Sequence, residues 1–188
     1  MTIFASALAN VLRIRTGLAS RGRNAYFKAL GVEIEGYAWM RRVDIPRNFD
    51  QISLANGVAL DDGVTLLAVG ETTAAKKITI GEDTYINRNT MIDAAHQISI
   101  GRGVGIGPNC YITDHDHGMA PGAPVMTQPL VSRPTVISDG VWLGAGCIVL
   151  KGVTIGKNTV IGAGSVVVHD LPADSVAVGR PARVARKR

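Results

Sequence analysis

Aliphatic residues recur at every sixth position along most of this chain. They run through Ile80, Ile86 and Ile92, slip by two residues, and resume at Ile100, Ile106 and Ile112. After a break they continue through Ile137, Leu143, Val149, Ile155, Ile161 and Val167. The residue after the aliphatic is often glycine, as at Gly81, Gly101, Gly107, Gly144, Gly156 and Gly162. Four positions after it stands a small or β-branched residue, as at Thr84, Thr90, Val104, Cys110, Val141, Cys147, Val153, Thr159 and Ser165. Weaker matches lie upstream at Ile34, Met40, Leu54, Leu60 and Leu66. A helix would space its apolar residues by 3.6, and an ordinary strand would alternate by twos throughout. A unit of six instead predicts one short strand and one turn. Three units close a triangular coil of about 18 residues, a period typical of solenoids. The aliphatic residue then points inward and the small one fits the crowded corner. Gly and Asn (Asn89, Asn109, Asn158) supply the left-handed backbone of tight turns.

Two segments break the repeat. Residues 71–77 (ETTAAKK) read as an exposed excursion between coils. The stretch from His117 to Pro134 contains four prolines, which forbid regular pairing, and predicts an extruded loop over about 118–134. At the N-terminus, Ile3, Phe4, Ala7, Leu8, Val11 and Leu12 have helical spacing and are followed by Arg13, Arg15, Arg21 and Arg23. We divide the chain into an N-terminal helical segment, 1–30, and a repeat domain, 31–188. The helix reads first as a lid packed on the opening coil or on a neighbouring subunit. The alternative is peripheral membrane contact through residues 1–24.

Composition supports a narrow core. Of 188 residues, 46% are hydrophobic but only 5% are aromatic, so aliphatics and 22 glycines must do the packing. The formal net charge is +5, with Arg180, Arg183, Arg186, Lys187 and Arg188 concentrated at the end. Basic charge without aromatic interleaving or a recognition module does not indicate nucleic-acid binding. The two cysteines have no metal-ligand spacing, which points to a reducing, cytoplasmic setting. No positive segment precedes the first apolar stretch, and the uncharged run before Arg13 is too short to span a bilayer. Both cysteines fall on the small inward slot, so neither is expected to act as a nucleophile.

The histidines are the candidate chemistry. His96 takes a small-residue slot and reads as structural; His169 lies on the last coil. His115 and His117 form DHDH directly before the extruded loop, where Asp116 occupies a small inward slot and signals unwinding. Histidine suits a general base because its ordinary pKa lies near working pH. The pair could also serve a metal, with His96 as a third ligand in a zinc-binding or scaffold protein.

The IGxxxx units IGPNCY, IGKNTV and IGAGSV resemble the hexapeptide-repeat acyltransferases over about residues 78–186. The resemblance implies an all-β fold, a left-handed parallel β-helix. It implies transfer of acetyl from acetyl-CoA to a hydroxyl of a sugar or surface-polysaccharide precursor; TDHDHG is similar to polysaccharide O-acetyltransferases. The inward cysteines make direct transfer the expectation, and without a clear third ligand near the histidine pair no metal is expected. N-acetylation of an amino sugar is the nearest alternative. In that likeness His117, last in its hexad, is the general base, ahead of His115. Asn87 and Asp93 match acceptor-facing positions, although both types also serve turns. Trp142 matches a tryptophan beside the pantetheine arm, and Ala145 and Ala163 match small positions lining its groove. Arg180, Arg183 and Arg186 are then the candidate partners of the CoA phosphates. A homotrimer with sites between subunits is implied as well.

Overall fold

The computed structural model describes the backbone of residues 3–188 and the side chains of residues 14–188. The apolar spacing of Ile3 to Leu12 therefore concerns side chains outside the described residues. The chain opens with a helix, Ile3–Ala29, and then winds into a parallel β-helix. No helix among the described residues is long and apolar enough to cross a membrane.

The middle coils each contribute one strand to each of three faces, while the first and last coils contribute fewer. The first face stacks Glu33–Ile34, Ile52–Leu54, Ile78–Ile80, Ile98–Ile100, Thr135–Ile137 and Thr154–Ile155. The second stacks Trp39–Met40, Ala59–Leu60, Tyr85–Ile86, Gly105–Ile106, Trp142–Leu143, Val160–Ile161 and Ser175–Gly179. The third stacks Thr65–Ala68, Met91–Ala94, Tyr111–Thr113, Ile148–Val149 and Val166–Val167. Registers are parallel and in line, so the sixth-position aliphatics form three inward ladders. One example is Ile86, Ile106, Leu143, Ile161 and Ala177. All five are buried. The last strand pair, Ser175–Gly179 with Ala182–Lys187, is antiparallel and ends the second face.

The corner residues explain the glycines. Asn48, Asp83, Asn89, Asn109, Asn158 and Asp174 take positive φ at turns. Gly144 is required for a different reason. A Cβ there would come within 2.6 Å of the Ala163 amide nitrogen on the next coil.

The helix is seated by polar side chains that the apolar pattern did not single out. Asn24 donates to the Ala38 carbonyl (2.7 Å) and accepts from the Ala38 amide (3.0 Å). Ser20 accepts from the Met40 amide at 2.9 Å, and Phe27 is buried beside them. The packed-lid expectation thus holds on the opening coil. The excursion at 71–77 is exposed except at its end. Lys77 is buried, with its ammonium on the Val69 carbonyl.

Candidate active site

The second expected break starts earlier than 118. The coil unwinds at His115, and His115–His117 pairs antiparallel with Leu130–Ser132. Asp116 is turned out to Lys151 (2.8 Å), as the unfavourable acid in an inward slot implied.

Asp114 stands immediately before this unwinding. Two residues after inward-facing Ile112, it points the same way and is fully buried. Its two oxygens accept the amides of Ala95 and His96 on the previous coil, each at 2.8 Å. The same Oδ1 lies 3.0 Å from Nδ1 of His115. Thr113 Oγ1 is 3.3 Å from that nitrogen. On the other side, Nε2 of His115 stands 3.9 Å from Oδ2 of Asp93. Tyr111 donates its hydroxyl to that oxygen at 3.0 Å. Burial, together with the Asp93 charge, pushes the Tyr111 phenol up, so it remains a donor. Oδ1 of Asp93 is buried with no hydrogen-bond partner among the described residues. The His115 side chain is only 12% exposed. His117 is exposed at the foot of the hairpin, where it pairs with Leu130.

Sequence reasoning missed Asp114 and Tyr111. The available signal was an acid in an inward slot, which cannot stay buried without donors. His96 is not in an inward slot. Its side chain is exposed and only its amide is engaged, by Asp114. Among the described residues no group of three His, Cys, Asp or Glu could hold a metal ion.

The remaining candidates lie along a different edge, where the second face turns into the third. Successive amides here climb the edge: Asp61 to Ile86, Asn87 to Ile106, Gly107 to Leu143, Gly144 to Ile161, Gly162 to Ala177. Asn87 is half-buried and its Oδ1 accepts the Arg88 amide at 2.8 Å, a local turn contact. Ala145 and Ala163 follow the edge glycines. The Trp142 ring stands on the adjoining face, 58% exposed, beside Gly105. Arg180 reaches back along the edge and donates to the Gly164 carbonyl at 2.6 Å. Arg183 and Arg186 are exposed on the closing hairpin, bonded among the described residues only to nearby carbonyls.

The structure therefore brings Asp93 to His115, and Asn87 onto one edge with Ala145, Ala163 and Arg180. It does not bring the two groups together within one chain. A third-face strand lies between them, about 10 Å across at ~3.3 Å per residue.

The thiols lie inside the coil. Cys110 and Cys147 are buried, each donating to a carbonyl at 3.3 Å, Gly144 and Gly162 respectively. The neighbouring Cys147 thiol and burial push the Cys110 thiol up.

Comparison with known proteins agrees with this architecture. Residues 134–169 match the family described as bacterial transferase hexapeptide (six repeats). The chain is 32% identical over 149 residues to the putative lipopolysaccharide biosynthesis O-acetyl transferase WbbJ of Escherichia coli, covering 75% of this chain and 74% of that one. It is 41% identical over 112 residues to the galactoside O-acetyltransferase of Lactococcus lactis, covering 60% of this chain. That match spans about half, 54%, of the relative. The hexapeptide-repeat acetyltransferase VCA0836 of Vibrio cholerae, solved with acetyl coenzyme A, superposes with a TM-score of 0.56. It is 32% identical, over 67% of this chain and 71% of that one. With its in-register ladders of sixth-position aliphatics, this chain belongs to the hexapeptide-repeat acyltransferases, the left-handed parallel β-helix family.

Proposed function

We propose that this protein transfers an acetyl group from acetyl-CoA to a hydroxyl of a sugar or surface-polysaccharide precursor. One observation carries the reading. Two histidines stand at the foot of an extruded hairpin, one of them fixed by a buried carboxylate, and relatives named as O-acetyltransferases are among the proteins this chain resembles.

His117 is our general base. It is exposed, so an acceptor hydroxyl can reach its ring. It takes the hydroxyl proton as oxygen attacks the thioester carbonyl, and it returns the proton to the departing CoA thiolate. A backbone N–H of the groove meets the oxyanion. A second reading assigns the base to His115, favoured by its contact with Asp114. A carboxylate on one ring nitrogen orients the other toward substrate. Asp93 supports acceptor binding because its Oδ1 lacks a donor, which an acceptor hydroxyl would bring.

Acetyl-CoA supplies the activated acyl group. Trp142, the small corners Ala145 and Ala163, and Arg180, Arg183 and Arg186 would hold it along the second-face edge. Because the histidines stand on another edge, we propose a homotrimer in which one chain's histidines face the CoA edge of the next. The buried, raised Cys110 thiol supports direct transfer without an acyl-enzyme.

The test incubates wild type, His117→Ala and His115→Ala with acetyl-CoA and a panel of sugars while following free CoA thiol. Acceptor-dependent release that falls by about 10²–10⁴-fold in folded His117→Ala supports the first reading. A comparable loss confined to His115→Ala moves the base. Failure of wild type to bind acetyl-CoA sinks the transferase.

A further inference from the structure

A recess lies away from the histidines, between the N-terminal helix and the opening coils. It has a volume of about 440 Å³. Arg15 and Arg23 line it from the helix and Arg41 and Arg42 from the coil, with Asp62 the sole lining carboxylate. Arg15 and Arg23 are eight residues apart with Ala19 midway, which puts all three on one helix face. The small Ala19 leaves the floor open, and Thr16 adds a hydroxyl to the wall.

The charges in this recess do not balance. Asp62 accepts from Arg42 (3.1 Å) and Arg41 (3.4 Å), and Arg41 also meets Asp61 at 3.3 Å. Those contacts hold the two coil guanidiniums in place. Hydrogen bonds from the Asp62 amide, Tyr85 and the arginines outweigh partial burial and keep the Asp61 carboxyl below its ordinary range, so it stays ionised there. Arg15 and Arg23 have no carboxylate partner among the described residues. Residues 1–13 contain no acid that could supply one. Four guanidiniums and one carboxylate thus face a common volume. Their mutual repulsion is relieved by an anion, and guanidinium forks match phosphate oxygens in pairs.

We propose that this recess is a binding site for a phosphate or diphosphate group. It lies at the start of the edge that carries Asn87, with Asp62 one coil and Arg41 two coils away, about 5 and 10 Å at ~4.8 Å per strand. The site is independent of which histidine is the base. A soluble phosphoester and a phosphate headgroup at a bilayer surface offer the same chemistry, and exposed Ile14 and Leu18 flank the arginines on the helix.

The experiment titrates the full chain with inorganic pyrophosphate by calorimetry, and separately measures co-sedimentation with vesicles of phosphatidylglycerol or of phosphatidylcholine. Arg15→Gln with Arg23→Gln should weaken pyrophosphate binding at least tenfold. Arg47→Gln with Lys28→Gln, which removes equal charge elsewhere, should leave it unchanged. Retention on phosphatidylglycerol vesicles that the recess variant abolishes assigns the phosphate to a bilayer. Pyrophosphate binding without retention assigns it to a soluble ligand. Equal weakening by both charge-removing pairs, or no pyrophosphate binding by wild type, overturns the site. Circular dichroism of each variant separates a lost site from a lost fold.

Discussion

Oδ1 of Asp114 lies 3.0 Å from Nδ1 of His115 while the same carboxylate closes two amides of the coil before it. An ionised carboxylate only accepts, so the contact favours the tautomer protonated at Nδ1 and leaves Nε2 directed toward Asp93. Scaffold and candidate chemistry share one side chain. Asp114→Ala should destabilise the fold by up to about 2–6 kcal/mol, since two part-buried N–H groups lose their acceptor at about 1–3 kcal/mol each. Urea denaturation measures this. Asp114→Asn should cost less stability but shift the pH profile of thiol release, a change that a purely structural role would not produce.

Gly144→Ala places a methyl against the Ala163 amide across the groove edge. Backbone cannot yield as a flexible side chain can. We expect a loss of about 1–3 kcal/mol in stability and weakened CoA binding. Thermal denaturation with and without CoA reports both, and an unchanged CoA-dependent increase in Tm would count against the groove.

Cys110→Ala should retain thiol-release activity within about twofold. The buried thiol donates to the Gly144 carbonyl and is held protonated by Cys147 and burial. A folded but inactive Cys110→Ala would point to a covalent intermediate and contradict direct transfer.

Asn24→Ala removes two bonds that clip the helix to Ala38 and leaves its carbonyl only the longer one from the Ser20 hydroxyl, at 3.5 Å. It should cost about 1–3 kcal/mol, because the buried Ala38 amide is left without its acceptor. Amide hydrogen exchange should rise in residues 14–29 while the later coils stay protected. Uniform protection throughout would show that Ser20 and Phe27 seat the helix without Asn24.

Asp61 also fixes a pH dependence. Its folded pKa is depressed: partial burial opposes ionisation, but hydrogen bonds from the Asp62 amide and Tyr85, with Arg41 and Arg88, prevail. A group lowered on folding adds stability above its unfolded pKa of about 3.9, and that stability is lost as pH falls through the folded value. Asp61→Asn should therefore flatten the fall in Tm below about pH 4. An acid limb identical to wild type would dismiss Asp61 as a contributor.

Periodicity alone determined the ladder of Ile80, Ile86, Ile92 and their successors, because a short strand and a tight turn are both local choices repeated every six residues. It also marked the proline-rich break and the DHDH turn, since proline cannot pair and an acid resists an inward slot. Only the tertiary structure decided what lies one coil away. Asp114 meets Ala95 and His96, Asn24 meets Ala38, and Arg15 and Arg23 meet Arg41 and Arg42 across the recess. Lys77 is buried although it closes an otherwise exposed excursion, residues 71–75. These contacts join residues far apart in sequence through the stacking of coils. Their formation depends on which side chain finds its partner when the backbone closes, and the spacing of apolar residues carries no record of that.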